Sequence, residues 1–471
     1  MDKDKPSFYI ESYGCQMNIS DSEIVVSILL EKGYSLTYDL KKAHLILLNT
    51  CSIRKKAFLT IKNRLENLKY LKIKNKQFPL FGILGCISKT TEKSFLDKID
   101  FFVDPDDYRN ISNVIDSVIN KGSKSYIPSF SFKKNYKDET YEGIEPYFPF
   151  KKKQSKVTSF LSITRGCDNM CTFCIVPFTR GRERSKSPSY IIEECQKLYE
   201  QGYKEITLLG QNVDSYLWFG GRLKKEIKNS KKIEKKIIDF SNLLDLIAKE
   251  FPSMRIRFST SNPQDMSYEV IEIMSKHSNI CKHIHLPVQS GSNKILKIMN
   301  RKYTREIYIS LIKRIRSIIP ECSISHDIMA GFCHETEEDH QETLSLMNEV
   351  KYNYGYMFSY SPRPGTFSYK KLKDTVPIRV KKRRLKEIIE LQKTHSIFHM
   401  KKFLGKTEKV LIEGESKKNH NNWYGRNTQN IVVVFPKKNT KIGETILIKI
   451  INFSSATLIG KIENKHSNCS N

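Results

Sequence analysis

The run Arg165-Gly166-Cys167-Asp168-Asn169-Met170-Cys171-Thr172-Phe173-Cys174 places three thiols at C-x3-C-x2-C spacing. Thiolates are the ligands that iron–sulfur clusters require, and one short loop lets all three point at a single cluster face. Three cysteines on a [4Fe–4S] cubane leave one iron without a protein ligand. That iron can chelate the amino and carboxylate groups of S-adenosylmethionine (SAM). Reduction of the bound sulfonium then releases a 5′-deoxyadenosyl radical, which takes hydrogen from unactivated carbon. A structural zinc site wants four closed ligands in two pairs, and an ordinary ferredoxin cluster wants a fourth local cysteine. The nearest further cysteine is Cys195, inside a helical pattern. The spacing favours the open iron.

Three more cysteines share a different regularity. Phe8-Tyr9-Ile10 leads to Gly14-Cys15, Leu45 to Leu48 leads to Thr50-Cys51, and Leu80 to Leu84 leads to Gly85-Cys86. Helical spacing marks the segments between, 20–32 and 55–70. Alternating strands and helices imply a parallel sheet, whose strands all end on one edge. Cys15, Cys51 and Cys86, distant in sequence, would therefore converge. The plain alternative is three small buried thiols at strand ends.

The elements that must position these groups fall into three parts. Residues 1–125 read as the N-terminal parallel α/β domain and 126–156, rich in Gly, Ser, Lys and Pro, as a linker. Residues 157–397 carry strand patterns at 160–164, 206–209, 255–259, 283–286, 323–329 and 356–360. Helical patterns at 188–201, 240–250, 265–276, 304–318 and 336–350 lie between them, and a basic helix follows at 378–400. This is the pattern of a (β/α)6 partial TIM barrel with its chemistry at the carboxyl ends of the strands. The Lys-rich segment 221–236 reads as a solvated excursion. Residues 398–464 turn to short strands at 409–413, 430–435, 445–451 and 456–462, with Trp423, Gly425 and Gly443 in the connections. That predicts a small antiparallel barrel of the OB-like kind, and 465–471 read as a frayed tail.

A formal charge of +29, from 80 basic against 51 acidic residues, points to a polyanion, although lysines on solvated faces account for part of it. The charged start leads into no apolar signal core, and no apolar run is long enough to span a bilayer. The expectation is a cytosolic, monomeric protein whose 11 cysteines are reduced thiols or ligands rather than disulfides.

The tripartite order resembles the radical SAM methylthiotransferases, and within them the branch that acts on tRNA. The carrying residues are Tyr13 to Asn18 with Asp21-Ser22-Glu23, Asn49 to Arg54, Gly85-Cys86, and Arg165 continuing through Phe178-Thr179-Arg180-Gly181-Arg182-Glu183. Leu209 to Val213, Leu286 to Ser292 and Tyr360 to Thr366 complete them, so the resemblance spans about residues 7 to 462. It implies that Cys15, Cys51 and Cys86 hold a second [4Fe–4S] cluster, which presents sulfur, and that the last barrel is a TRAM domain gripping RNA. It implies the anticodon stem-loop as substrate, with methylthiolation of N6-dimethylallyladenosine at position 37. One SAM would act as methyl donor and another as radical source, with separate electron and sulfur donors.

On these expectations Gln211, Asn212, Ser259, Ser261, Gln289 and Asp327, near strand ends, are candidate SAM contacts, against ordinary capping roles. Arg180, Arg182 and Arg184 are candidates for anticodon phosphates, against a solvated basic stretch. Trp423, Tyr424 and Arg426 are candidates for stacking and cationic contact with RNA. Two positions depart from the family pattern. Cys333-His334 stand where the family usually has Pro-Gly; a solvent-facing loop with a chance thiol is expected there rather than a metal pair. Lys186 stands where an arginine is usual, which weakens any bidentate phosphate contact. Cys195, Cys281, Cys322 and Cys469 read as structural or incidental. The rivals are a methylthiotransferase with another target, and a non-catalytic iron–sulfur or zinc RNA-binding protein.

Overall fold

The computed structural model describes residues 5–51, 55–74, 79–86, 95, 97–121, 140–146, 156–221, 224 and 237–463. Most of 126–156 and of 221–236, with Cys469 and the tail, lie outside them.

The first part is a five-stranded, wholly parallel sheet in the order β2-β1-β3-β4-β5. Its strands are β1 (Ser7–Tyr13), β2 (Ser35–Leu36), β3 (Leu45–Cys51), β4 (Leu80–Cys86) and β5 (Phe101–Val103). β3 is buried along its whole length, as a central parallel strand covered on both faces should be. β2 and β5 were not legible because two or three residues are too few for a periodic pattern. Helix α1 (Gln16–Glu31) follows β1 directly. Its Asn18, Ser20, Asp21, Ser22 and Glu23 are all buried. A helix with its polar residues inside is not a surface helix; α1 lies between the sheet and the second part of the chain.

In chain order the second part has β6 (Thr158–Ser162), β7 (Thr164–Arg165), β8 (Arg184–Ser185), β9 (Glu205–Leu209), β10 (Leu217–Trp218) and β11 (Ile238–Asp239). It continues with β12 (Arg255–Ser259), β13 (His283–His285), β14 (Ser323–Ala330) and β15 (Tyr354–Ser359). Six of these match the expected barrel strands. They form two parallel three-stranded sheets, β12-β9-β6 and β13-β14-β15, with an isolated parallel bridge Ile256–Ile280 between them. Helices Pro188–Glu200, Phe240–Glu250, Tyr268–Lys276, Arg305–Ile318 and Glu337–Val350 sit at the expected intervals, and Ile378–Lys401 packs behind β14 and β15. Cys195, Cys281 and Cys322 are buried within this part.

The last part is a closed barrel in the order β16-β17-β18-β20-β19. Its strands are β16 (Thr407–Glu415), β17 (Asn422–Arg426), β18 (Val432–Pro436), β19 (Thr445–Phe453) and β20 (Thr457–Ile462). Two expectations need correction. Trp423 and Gly425 lie in β17 rather than in a connection; the glycine is there because a Cβ would meet the Leu411 carbonyl oxygen at 2.0 Å. Closure also requires one parallel pairing, β18 with β20, among four antiparallel ones.

The described piece of the expected linker, 140–146, is not a free tether. Tyr141 is 1% exposed, its hydroxyl donates to the Pro105 carbonyl at 2.5 Å, and Arg165 stacks over its ring at 4.7 Å. The segment cements the first part to the second.

Candidate functional site

Strand direction does the first assembly. Cys51 and Cys86 are register partners at the ends of β3 and β4. Cys15 caps the amino end of α1, one strand over, and Cys51 hydrogen-bonds to it. Asn18 and Asn49 lock this corner. Asn18 Nδ2 donates to Asn49 Oδ1 at 2.9 Å and to the Thr50 carbonyl at 3.0 Å, and Asn49 Nδ2 returns a bond to the Asn18 carbonyl at 2.8 Å. Gly85 adopts φ +95°, and a Cβ there would meet the Thr50 oxygen at 2.3 Å, so the residue before Cys86 must be glycine. The three thiols therefore converge. The bond from Cys51 and the charge of Arg180 bring the Cys15 thiol down to about 6, against the effect of burial. Burial pushes Cys86 up instead, while Arg180 draws it back.

The second triad occupies the loop between β7 and the short helix Val176–Thr179. Gly166 takes φ +75°, and a side chain there would strike the Arg182 carbonyl oxygen at 2.1 Å, so the position requires glycine. Met170 also takes a left-handed φ of 49°, and Asn300 Nδ2 holds its carbonyl at 2.9 Å. Thr172 is pinned by Met299 and Ile298 of the same distant segment, at 3.1 and 3.0 Å. Arg301 Nη1 approaches Cys171 Sγ at 3.5 Å while its Nη2 donates to the Pro287 carbonyl at 2.9 Å and to Asn262 at 3.3 Å. Burial pushes Cys167 and Cys174 up to about 12, with Cys171 close enough to add to the shift. Three half-buried thiols on one loop suit a cationic metal centre, and three soft donors with no fourth on the loop fit a cluster with an open site.

The mouth of the barrel beside this loop is polar and partly unpaired. Asn212 Nδ2 donates to Asp265 at 2.7 Å, but its Oδ1 is buried without a partner, as is Gln289 Oε1. Gln289 sits at φ +71° between β13 and β14, donating to the Asp327 carbonyl at 2.8 Å through its backbone. Two orphaned buried acceptors are what an ammonium or hydroxyl of a bound SAM would satisfy. Ser261 already bonds the Asp214 carboxylate at 3.1 Å, and the Asp327 carboxylate lies 3.4 Å from His285, so both have partners within the fold. Ser259 and Gln211 are half-buried near the same edge.

The arginine expectations are overturned in part. Arg180 and Arg184 are 1% and 4% exposed, so neither faces a phosphate. Arg180 donates to Asp21 Oδ2 at 2.7 Å and to Cys86 Sγ at 3.1 Å; Arg184 pairs with Asp106 at 2.9 Å. Only Arg182 of the three is open, 47% exposed beside Asp168. Lys186 is buried too, paired with Glu194 at 2.8 Å, so no phosphate role was there to weaken. In the last barrel, Trp423 packs against the core with Lys437 over its ring at 4.3 Å, and Arg426 turns to the Asn430 carbonyl at 3.2 Å. Tyr424 is half-buried. Cys333 is fully buried beside Phe332 and Tyr360, against the expected solvent-facing thiol, which also separates it from His334 as a metal pair.

Sequence reasoning missed the residues that join the two triads. Asp21, fully buried, accepts from Arg165 Nη1 and Arg180 Nη2, both at 2.7 Å. Burial works against its charge, yet the two guanidiniums hold the carboxyl below the usual range. Arg165 precedes Cys167 by two positions and Arg180 follows Cys174 by six, while Asp21 lies six positions, less than two helical turns, beyond Cys15. One carboxylate thus clamps both ends of the second cysteine loop to the helix that Cys15 caps. The only available signal was an Asp inside a cysteine motif; its partners stand 144 and 159 positions away.

Comparison with known proteins fits this arrangement. Residues 161–347 match the model of the Radical SAM superfamily, 7–104 that of the Uncharacterized protein family UPF0004, and 401–462 that of the TRAM domain. A tRNA-2-methylthio-N(6)-dimethylallyladenosine synthase from Karelsulcia muelleri is 56% identical over 97% of this chain and 99% of its own. The protein of the same name from Flavobacterium psychrophilum is 53% identical over 96% and 93%. Among solved structures, the radical S-adenosylmethionine methyltransferase TsrM from Kitasatospora setae has a TM-score of 0.55 at 11% identity, over 77% of each chain, a likeness of fold. The chain belongs to the radical SAM family of tRNA-2-methylthio-N(6)-dimethylallyladenosine synthases.

Proposed function

We propose that this chain converts N6-dimethylallyladenosine, beside the anticodon of tRNA, into its 2-methylthio derivative. The carrying observation is the Asp21 clamp, which holds the loop of Cys167, Cys171 and Cys174 against the helix that Cys15 caps, the helix beside the strand ends of Cys51 and Cys86. A single radical centre has no use for a second triad; a reaction that must both activate a carbon and deliver sulfur has. An adenine C2–H offers neither an acidic proton nor a leaving group, so when bound, a [4Fe–4S] cluster with SAM supplies the radical chemistry this position needs, and a second cluster supplies sulfur.

In this reading Cys167, Cys171 and Cys174 hold the SAM-binding cluster, and Cys15, Cys51 and Cys86 hold the other. Arg301 steadies the Cys171 thiolate and, through Asn262, ties it to the barrel mouth. Gln289 and Asn212 orient SAM through their unpaired oxygens. Asp21, Arg165 and Arg180 keep the two sulfur sets in fixed relation and exclude water from between them. The surplus of lysine and arginine draws in the tRNA, with the C-terminal barrel as its second hold. The domain limits 1–125, 157–397 and 398–464, a monomeric state and a cytosolic setting with an electron donor and a sulfur donor belong to the same proposal. No helix among the described residues is long and apolar enough to cross a membrane.

Nucleoside analysis of tRNA from a deletion strain tests the target: the methylthio-isopentenyl nucleoside should vanish while its unthiolated precursor accumulates. Persistence of the methylthio form would move the activity to another substrate. Anaerobic reconstitution separates the enzyme from a passive RNA-binding protein, since SAM-dependent release of 5′-deoxyadenosine has no place in a zinc module.

A further inference from the structure

Arg180 lies deep in the junction between the first two parts of the chain and has a bond that ion pairing does not explain. Arg165 and Arg180 share the single carboxylate of Asp21, which leaves one positive charge in a dry interior. Arg180 turns its Nε to Cys86 Sγ at 3.1 Å, and its Nη1 is buried with no partner at all. A guanidinium carries a fixed fork of five N–H donors, and burying one of them unpaired is unfavourable. An anion beside Cys86 would remove both the surplus charge and the orphaned donor.

We propose that Arg180 is a positioning residue for the first cysteine triad, which donates hydrogen bonds to the sulfur face of the cluster held there and raises its reduction potential. The inference rests on the reading that Cys15, Cys51 and Cys86 hold a cluster. Donors aimed at cluster sulfur stabilise the reduced, more negative form, and the potential of such clusters follows net charge and hydrogen bonding. Arg180 also lies only six positions after Cys174, so its backbone belongs to the radical loop while its side chain reaches the first triad. The same side chain therefore fixes how the sulfur-bearing face is presented to the radical loop.

The test uses the full-length chain with Cys167, Cys171 and Cys174 replaced by alanine, so that only the first cluster remains. Iron and sulfide counting on this parent comes first; absence of a cluster overturns the underlying reading and the inference with it. Potentiometric titration followed by electron paramagnetic resonance is then run on the parent, Arg180→Gln and Arg180→Lys. Arg180→Gln leaves Asp21 balanced by Arg165, which spares the fold the uncompensated charge that usually accompanies such a change. At fixed poise its reduced-to-oxidised ratio should fall about tenfold, which is about 59 mV for one electron. Arg180→Lys, which keeps the charge and loses the fork, should shift less. A midpoint unchanged in Arg180→Gln, with iron content intact, overturns the inference, as does loss of fold in both variants, which would make Arg180 a member of the structural ion cluster alone.

Discussion

At the scale of single residues, the two cysteine triads differ in surroundings more than in spacing, and their variants should separate accordingly. Cys171→Ala removes the middle ligand of the second triad, so 5′-deoxyadenosine release should fall to background. Cys15→Ala should spare that release and abolish only the methylthiolated nucleoside. Equal loss of both products in both variants would contradict the division of labour. Asp214 makes a different prediction. Burial pushes its carboxyl up to about 8 although Ser261 and the Asn262 amide bond it. The native state then keeps a proton that the unfolded chain releases near pH 3.9, so its contribution falls as pH rises between the two values. Asp214→Asn should be more stable relative to wild type at about pH 8 than at about pH 5, read by denaturant midpoints at both. A pH-independent difference would show that the carboxyl titrates normally.

At the scale of elements, the segment Gly331 to Thr336 shows how a substitution is absorbed. His334 occupies φ +64°, a conformation that costs a side-chain-bearing residue about 1 kcal/mol. The loop keeps its course because Phe332 and Cys333 are buried, Glu335 accepts from the Gly331 amide at 2.9 Å, and Thr336 opens the next helix with a capping box to Asp339. His334→Gly should therefore stabilise the protein by up to about 1 kcal/mol, offset in part by the freer unfolded chain. Calorimetry would show this as a melting temperature about 1–2 °C higher, and a lower one would mean that the imidazole makes a stabilising contact. Without the Pro-Gly of the family pattern, the shape of this loop is set by its buried neighbours.

At the scale of the whole molecule, the C-terminal barrel is fastened to the end of the partial barrel opposite the chemistry. Arg255 and Arg257, near the start of β12, both bond Glu205 and reach across to the carbonyls of Arg426, Asn427 and Thr428 at 2.7–3.2 Å. Asn430 adds a bond to the Tyr354 hydroxyl at 2.8 Å. Arg426 lends only its carbonyl to this joint; its guanidinium pairs within the barrel, with Glu413 at 3.5 Å and the Asn430 carbonyl at 3.2 Å. Arg257→Ala strips the Asn427 and Thr428 carbonyls of a donor and leaves part of the Glu205 charge uncompensated. It should cost about 3 kcal/mol. Limited proteolysis should then release the C-terminal barrel; an intact joint would show that these bonds are dispensable. With a formal charge of +29, tRNA affinity should also fall at least tenfold between roughly 50 and 200 mM salt. A flat salt response, followed by filter binding, would mean that the lysines are mainly solvated faces.

Local patterns determined much of this protein. Strand–helix alternation and thiol spacing are short-range properties, so the parallel sheet, the six barrel strands, the final barrel and both triads could be read from consecutive residues. Even the convergence of Cys15, Cys51 and Cys86 followed, because parallel strands share one edge. What no window of sequence contains is who faces whom across 144 or more positions. Such pairings, near and far, decided the fates of Arg180, Arg184 and Lys186, whose charge suggested solvent and phosphate but whose neighbours are Asp21, Asp106 and Glu194. A charged residue is buried only when a partner meets it, and the partner is supplied by the fold. The loop of Cys167, Cys171 and Cys174 was evident from its residues; that it is held at both ends against the helix of Cys15 was the decision of tertiary structure alone.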